Sequence, residues 1–293
     1  MSASAPVHAR TPPTALSVAG TDSGGGAGVT ADVRAFTACG VHGCVAVAAV
    51  TVQNSVGVTG FHEVPPDVVA AQIRAVASDM GVDAAKTGML ASRAIIETVA
   101  ATCDEVGIGR RAGSPRGGRT PFVVDPVAAS MHGDPLLAGD ALEALRSELL
   151  PRATLITPNL DEVRLLVGIT VVDDGTAREA ARALHALGAG AVLVKGGHLA
   201  ALSGRDEPEC TDLLFDGATC TPLTSPRHHT EHTHGGGDSL AAAITAGLAR
   251  GMALLDAVRL GKAYITRAVE HAYPLGAGHG PVSALWSVAD WER

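Results

Sequence analysis

The sequence predicts an α/β fold built on a mostly parallel central sheet, and three observations carry that reading. Short apolar runs alternate with longer amphipathic ones along the chain, the pattern of strands interleaved with helices. Hydrophobic residues make up 46% of the 293 residues but aromatics only 3%. The core is therefore built from Ala, Val, Leu and Ile, which suits parallel strands covered on both faces by helices. Glycine-rich polar segments directly follow several strand candidates, and open parallel sheets bind ligands beyond the carboxyl ends of their strands.

In chain order, the apolar run Ala15–Ala19 reads as the first strand and Gly28–Cys39 as the first helix. Val45–Val52 follows as a strand, then Pro66–Met80 as a helix with proline at its first position. Ala84–Thr87 and Ser92–Val106 form the next strand and helix, and Pro121–Asp125 and Asp140–Leu149 the pair after that. Ala153–Thr157 leads into the helical candidates Leu160–Leu166 and Ala177–Leu187. Ala191–Lys195 and Asp212–Asp216 complete the strands, and Ser239–Arg250 and Leu254–His271 close the chain as helices. We read residues 1–13 as a flexible N-terminal extension and 14–293 as a single domain. Gly107–Thr120, Ala201–Glu209 and Arg227–His234 read as surface insertions. The first carries Arg110, Arg111, Arg116 and Arg119 among Gly and Pro, as a solvated loop would.

A formal net charge of −8 argues against a nucleic-acid-binding face, which needs concentrated Lys and Arg. An anionic substrate must then be held locally, by backbone amides, a few cations and a metal. Five dispersed cysteines, Cys39, Cys44, Cys103, Cys210 and Cys220, form no CxxC pair and read as reduced thiols. The stretch through Pro13 is polar and has no apolar segment of the kind a secretory leader needs. No apolar run reaches membrane-spanning length without interruption. These features predict a cytoplasmic protein without membrane or nucleic-acid partners.

The strongest local signal is His234-Gly235-Gly236-Gly237-Asp238 ahead of an Ala-rich helix. Consecutive glycines before a helix let backbone N–H groups converge on one point, where the helix N-terminus adds partial positive charge. Such a loop stabilises charge on a transferred phosphoryl group. Asp238 at its end is placed to accept the proton of an attacking hydroxyl; the alternative is an Asp N-cap after a Gly-rich turn. After the first strand, the glycine-rich stretch 20–28 allows close backbone approach to a flat or phosphorylated ligand. No Gly-Lys-Ser/Thr follows it, so it is not a Walker A loop. Asp32 lies one helical turn beyond Gly28, either pointing back into the cleft or standing as a solvated helix carboxylate.

Thr157-Pro158-Asn159-Leu160-Asp161-Glu162 follows another strand. Asn159 and Glu162, three apart, share a face on a first helical turn. An amide and a carboxylate there can hold a hydrated Mg²⁺ that bridges nucleotide phosphates. The same spacing is that of a capping box, and the two readings are compatible. Lys195, at a strand's carboxyl end before two glycines, suits phosphate contact; the alternative is a plain turn with an exposed lysine. Asp125 ends a further strand and adds a carboxylate at the same sheet edge. His228-His229-Thr230-Glu231-His232 matches an H-x-x-E-H zinc pattern, which works only on a helix. Pro226 before it and the glycines after it argue against a helix there.

Read together, the segments form a recognisable series. They are Ala-Gly-Thr-Asp-Ser-Gly-Gly-Gly-Ala-Gly-Val-Thr-Ala-Asp (19–32), Val-Gln-Asn-Ser (52–55), Lys-Thr-Gly-Met-Leu (86–90) and Val-Asp-Pro-Val (124–127). Thr-Pro-Asn-Leu-Asp-Glu (157–162), Val-Lys-Gly-Gly-His (194–198), Thr-His-Gly-Gly-Gly-Asp (233–238) and Gly-His-Gly-Pro-Val (278–282) follow in order. Over residues 14 to 282 the chain resembles the hydroxymethylpyrimidine/phosphomethylpyrimidine kinases of the ribokinase-like superfamily. The resemblance implies a three-layer α/β/α fold, a homodimer, and Mg²⁺ and ATP as cofactors. It also implies phosphorylation of the pyrimidine alcohol and then of its monophosphate, giving the diphosphate used in thiamin synthesis. By position, Asp32 and Gln53 would hydrogen-bond the aminopyrimidine, and Gly20, Met89 and Val127 would line its pocket. Asp125, Asn159, Glu162 and Lys195 would serve the ATP–Mg²⁺ phosphate region, Glu162 reaching the metal through water. Gly235, Gly236 and Gly237 would form the anion hole.

The sequence departs from the family pattern at two points. Gly-Gly-Gly-Asp (235–238) stands where the family usually has Gly-Thr-Gly-Cys, and Met131 stands where a lysine is common. Asp238 is a sound base, so the departures bear on the preferred acceptor, chiefly the monophosphate. Two other readings are a pyridoxal or pyridoxine kinase, which favours Asp at the base position, and a catalytically silent pyrimidine-binding homologue.

Overall fold

The computed structural model describes residues 11–110, 120–128, 140–197 and 208–288. Expectations for residues 1–10, for Arg111, Arg116 and Arg119, for Met131, for His198 and for 201–207 lie outside them. At the edge of the predicted extension, Pro13 already joins the sheet, its carbonyl accepting from His42 N at 2.8 Å.

Ten strands are described: β1 (Thr14–Ala19), β2 (His42–Val47), β3 (Ala49–Asn54), β4 (Gly57–Glu63), β5 (Ala84–Thr87), β6 (Phe122–Val124), β7 (Leu155–Ile156), β8 (Val192–Val194), β9 (Glu209–Phe215) and β10 (Cys220–Pro226). Eight of them form one sheet in the order β10-β9-β8-β7-β6-β5-β1-β2. Pairing is parallel from β2 through β8 and antiparallel at β8–β9 and β9–β10. The mostly parallel sheet is thus as predicted.

Helices cover both faces. One layer holds α1 (Gly28–Ala38), α7 (Gly236–Ala249) and α8 (Leu254–Glu270). The other holds α2 (Pro66–Asp79), α3 (Arg93–Val106), α4 (Ala141–Ala144), α5 (Leu160–Val167) and α6 (Asp174–Ala186). Every residue of α7 from Ser239 to Ala249 is buried, as expected of a helix that is apolar all round. Its packing against β1, β5 and β6 fixes where its N-terminus stands over the sheet edge.

Three differences from the sequence reading have physical causes. The run Val45–Val52 is two strands: it breaks at Ala48, and β3 leaves the sheet to pair with β4 as a separate antiparallel hairpin. β10 escaped prediction because Pro222 and Pro226 argue against a strand; it is an edge strand, where a missing N–H costs no ladder bond. The helix predicted over Asp140–Leu149 is α-helical only to Ala144, then widens to a π turn over Leu145–Leu149 and tightens over Leu150–Arg152. Pro151 ends it.

Candidate active site

Successive strand residues face opposite sides of a sheet, and this sorts the functional side chains. Ala15, Ala84, Val123, Leu155 and Leu193 pack in the layer of α1, α7 and α8. Ser17, Lys86, Asp125, Thr157 and Lys195 stand two residues further along the same five strands, and therefore project from that same face at the carboxyl edge. There they meet the N-terminal turn of α7.

Helix α7 begins at Gly236, with Gly235 as its N-cap, so Asp238 lies inside the first turn. It is not the N-cap that the alternative reading made it, and its side chain makes no capping bond. Instead its Oδ1 stands 3.5 Å from Lys86 Nζ. Gly236 N donates to Thr233 O, which takes that amide out of the three predicted for the anion hole. The first N–H groups of a helix lack intrahelical acceptors, so Gly237 N and Asp238 N are the donors that remain at this end. Gly235 has φ of +74°, and an added Cβ would fall on the Gly26 carbonyl oxygen; only glycine fits where the two Gly-rich loops touch.

Those loops are tied together. Asp22 accepts from Gly24 N at 2.8 Å, Gly26 N at 2.9 Å and Ala27 N at 2.8 Å. Its Oδ2 also lies 2.8 Å from His234 Nε2. Burial pushes the Asp22 carboxyl up, but the His234 bond and the loop amides outweigh it and leave it below the ordinary value. His234 pairs in turn with the 278–282 motif, donating to Gly280 O and accepting from Val282 N. Nothing in the sequence signals that Asp22 and His234 meet, since they stand 212 residues apart.

Further along the sheet edge, Asp125 Oδ1 accepts from Lys195 Nζ and from Thr157 Oγ1, each at 3.0 Å. Lys195 Nζ also lies 3.8 Å from Glu162 Oε2, so it is a partnered cation rather than an exposed turn lysine. Asn159 and Glu162 form the full capping box: Glu162 N donates to Asn159 Oδ1 at 2.9 Å, and Asn159 N to Glu162 Oε2 at 2.7 Å. Burial raises the Glu162 carboxyl to about 7, with Lys195 opposing and Asp125 adding to the rise. The folded state thus holds this proton more tightly than the unfolded chain, whose carboxyl titrates near 4.5. Its contribution to stability is complete below the unfolded value and is lost as pH rises through the folded one. The thermal midpoint of Glu162→Gln is expected to fall less than that of the parent between about pH 5 and pH 7; midpoints measured across that range check it.

A cleft of about 640 Å³ runs along this edge. At one end it is floored by Met89 and Val127, which pack with Ala49 and Val58 in a small apolar cluster. Gly20 lines it closely, because a Cβ there would sit 3.1 Å from the Met89 methyl. Gln53 reaches the cleft from a register shift between Val52 and Gln53, since a bulge re-aims the side chain beside it. Ala91, with φ of +61°, is the only described non-glycine in the left-handed region and turns the chain just after Met89. Gly20, Gln53, Met89, Val127, Asp125, Asn159, Glu162, Lys195, Gly235, Gly236, Gly237 and Asp238 all line the one cleft.

Asp32 does not. Its side chain is fully buried, accepts from Ser17 Oγ at 2.5 Å and pairs with Lys86 Nζ at 2.7 Å. Each oxygen accepts one bond and the side chain has no exposed surface, so the structure does not bring Asp32 to the cleft beside Gln53; nor is it a solvated carboxylate. Burial raises its carboxyl to about 7 despite Lys86, with Asp238 adding to the rise. Lys86 keeps its proton, because the carboxylates of Asp32, Asp238 and Asp125 outweigh its burial.

The far arm of the cleft holds residues that the sequence reading passed over. Lys262 of α8 donates to Asp212 Oδ2 at 2.7 Å, and Asp212 Oδ1 accepts from Gly196 N at 2.8 Å. This pins the turn after Lys195 against the wall formed by Ile265, Thr266 and Val269. Lys262 was detectable as a lone cation on the otherwise apolar face of α8. The H-x-x-E-H segment is not helical, so it lacks the geometry a zinc site of that type needs. His232 Nδ1 there accepts from Gly280 N at 3.0 Å.

A family model described as phosphomethylpyrimidine kinase matches residues 22–283. A hydroxymethylpyrimidine/phosphomethylpyrimidine kinase of Mycobacterium tuberculosis is 57% identical over 279 residues, covering 95% of this chain and 96% of that protein. Among solved structures, an ADP complex of Bacillus subtilis pyridoxal kinase superposes with a TM-score of 0.81 at 34% identity, covering 94% of this chain and 98% of that one. The phosphomethylpyrimidine kinase of Clostridium difficile gives a TM-score of 0.73 at 33% identity, covering 88% and 99%.

Proposed function

The chain belongs to the phosphomethylpyrimidine kinase family, and from that premise we propose that it transfers the γ-phosphoryl group of ATP to 4-amino-5-hydroxymethyl-2-methylpyrimidine and then to the resulting monophosphate, towards thiamin diphosphate. The observation that carries this is Asp238 on the first turn of α7, beside free amides and within one cleft with Gln53, Met89 and Val127. The pyrimidine lies on the Met89–Val127 floor with Gln53 at its polar edge. Its hydroxymethyl group faces Asp238. As the alcohol oxygen bonds to phosphorus, Asp238 takes the hydroxyl proton and the bond to the bridging oxygen of ADP breaks. The Gly237 and Asp238 amides and Lys195 neutralise charge on the migrating group. ATP extends along the arm lined by Lys195, Gly197, Asp212 and Lys262.

Mg²⁺ fits the oxygen donors on the phosphate side. Asp125, just after β6, and Glu162, on the first turn of α5, are carboxylates that line the cleft, and hard cations take oxygen ligands while keeping several waters. When bound, the ion supplies positive charge to the β- and γ-phosphate oxygens. For assembly, we favour a second copy covering the β3–β4 hairpin, which stands off the main sheet and exposes Val50, Val52 and Val56. The five cysteines are free thiols, which suits a reducing cytoplasm. No helix among the described residues is long and apolar enough to cross a membrane.

A second reading, pyridoxal phosphorylation, is favoured by Asp238 at the base position and by the similarity to the Bacillus subtilis pyridoxal kinase. An ADP-release assay with the pyrimidine alcohol, its monophosphate and pyridoxal separates the readings. The highest kcat/KM is expected for the pyrimidine alcohol. No turnover of either pyrimidine beside an active control kinase would remove the assignment.

A further inference from the structure

The geometry points to Lys86 as the positioning residue that keeps Asp238 aimed, with Asp32 as the buried carboxyl that anchors it; this rests on the reading of Asp238 as the base.

Lys86 occupies an unusual place. It stands on β5, a four-residue strand buried throughout and flanked by β1 and β6, and its side chain has no exposure to water. An ammonium so placed is costly unless it is paired and hydrogen-bonded. Two carboxylates supply that pairing: Asp32 Oδ1 at 2.7 Å from α1 and Asp238 Oδ1 at 3.5 Å from α7. Asp32 is itself fixed, because Ser17 donates to its other oxygen at 2.5 Å. The chain Ser17–Asp32–Lys86–Asp238 therefore runs from inside the layer to the cleft wall, and only its last member lines the cleft.

That order decides what each member does. Asp32 and Ser17 hold the ammonium at a fixed point, with no freedom to swing away. From there it holds the Asp238 carboxyl in one orientation at the cleft wall. Gly88 lies beside the pair, its Cβ position 3.5 Å from Asp238 Oδ1 and 3.7 Å from Lys86 Nζ. Other charges face the same turn of α7: Asp125 from the end of β6 and Lys195 from the end of β8, with Glu162 of α5 behind Lys195. Lys195 and Asp125 are bonded to each other, so Lys86 is the cation whose second partner is Asp238.

The experiment compares Lys86→Met, Asp32→Asn and the double variant Asp32→Asn/Lys86→Met with the parent, and includes Asp238→Asn as a control. Each is read as kcat and KM for the pyrimidine alcohol and as a thermal midpoint. Lys86→Met is expected to lower kcat by about 100-fold. Asp32→Asn is expected to lower kcat by less than Lys86→Met, because it loosens the anchor of the ammonium but leaves Lys86 beside Asp238. KM stays within about threefold in both, since neither side chain reaches the cleft. The double variant leaves no unpaired buried charge and is expected to fold even where Lys86→Met does not, with kcat still as low as for the single lysine variant.

Parent-like kcat in Lys86→Met, or recovery of kcat along with the midpoint in the double variant, overturns the inference. So does a tenfold rise in KM with unchanged kcat in Asp32→Asn, which would return Asp32 to the pyrimidine. Full turnover by Asp238→Asn would instead remove the base itself, and this inference with it.

Discussion

Replacing Asp238 by Asn is expected to lower kcat for the pyrimidine alcohol by about 10²- to 10⁴-fold, the reach of a positioned general base. The amide has the shape of the carboxylate but cannot take the proton, so the alcohol must attack without losing it. Substrate binding should persist, because the ring contacts Met89, Val127 and Gln53 lie on other elements. Two measurements check this together: ADP release at saturating substrate, and the rise in thermal midpoint on adding pyrimidine, which reports binding whether or not chemistry follows. Parent-like turnover in the variant would show that Asp238 is not the base.

The second large effect is expected at Gly235. Its φ of +74° would strain any other residue, and a Cβ would fall on the Gly26 carbonyl oxygen and 3.2 Å from Ala27 Cα. For Ala the left-handed conformation alone costs about 1–2 kcal/mol, and the clash pushes the two Gly-rich loops apart. Gly235→Ala should lower kcat by about 10²- to 10³-fold, as loss of an oxyanion donor does. It should also lower the thermal midpoint by about 5 °C. Gly251→Ala separates strain from site geometry, because Gly251 has φ of +78° but open space around its Cβ position. That variant should lose some stability and keep the parent kcat. Equal kcat loss in both would mean that the Gly235 effect is general destabilisation.

The sequence made the sheet edge legible because chemistry there follows strands. Asp125, Asn159, Glu162, Lys195 and Asp238 each stand just beyond an apolar run or a glycine stretch, and the structure gathers them into one cleft. What it did not make legible was depth. Asp32, in the second turn of α1, and Asp238, in the first turn of α7, both stand near a helix start, yet one is sealed in the interior and the other opens to the cleft. Only the packing of α1 against β1 decides that, and no local pattern records it. Lys86 was hidden by the shortness of β5, where four residues are too few to show which side chains face inward. The Asp22–His234 contact was hidden by distance along the chain. β10 was concealed by its prolines, which are harmless at a sheet edge.

That separation has a consequence for the protein's synthesis. Asp22 meets His234 across 212 positions, and Lys86 meets Asp238 across 152. Much of the sheet can form on the ribosome as the chain emerges, but the working surface waits for α7 to dock between the loops that β1 and β5 made earlier. Kinase activity in a nascent chain should therefore switch on late and abruptly, after the 278–282 segment has left the exit tunnel and closed over His234.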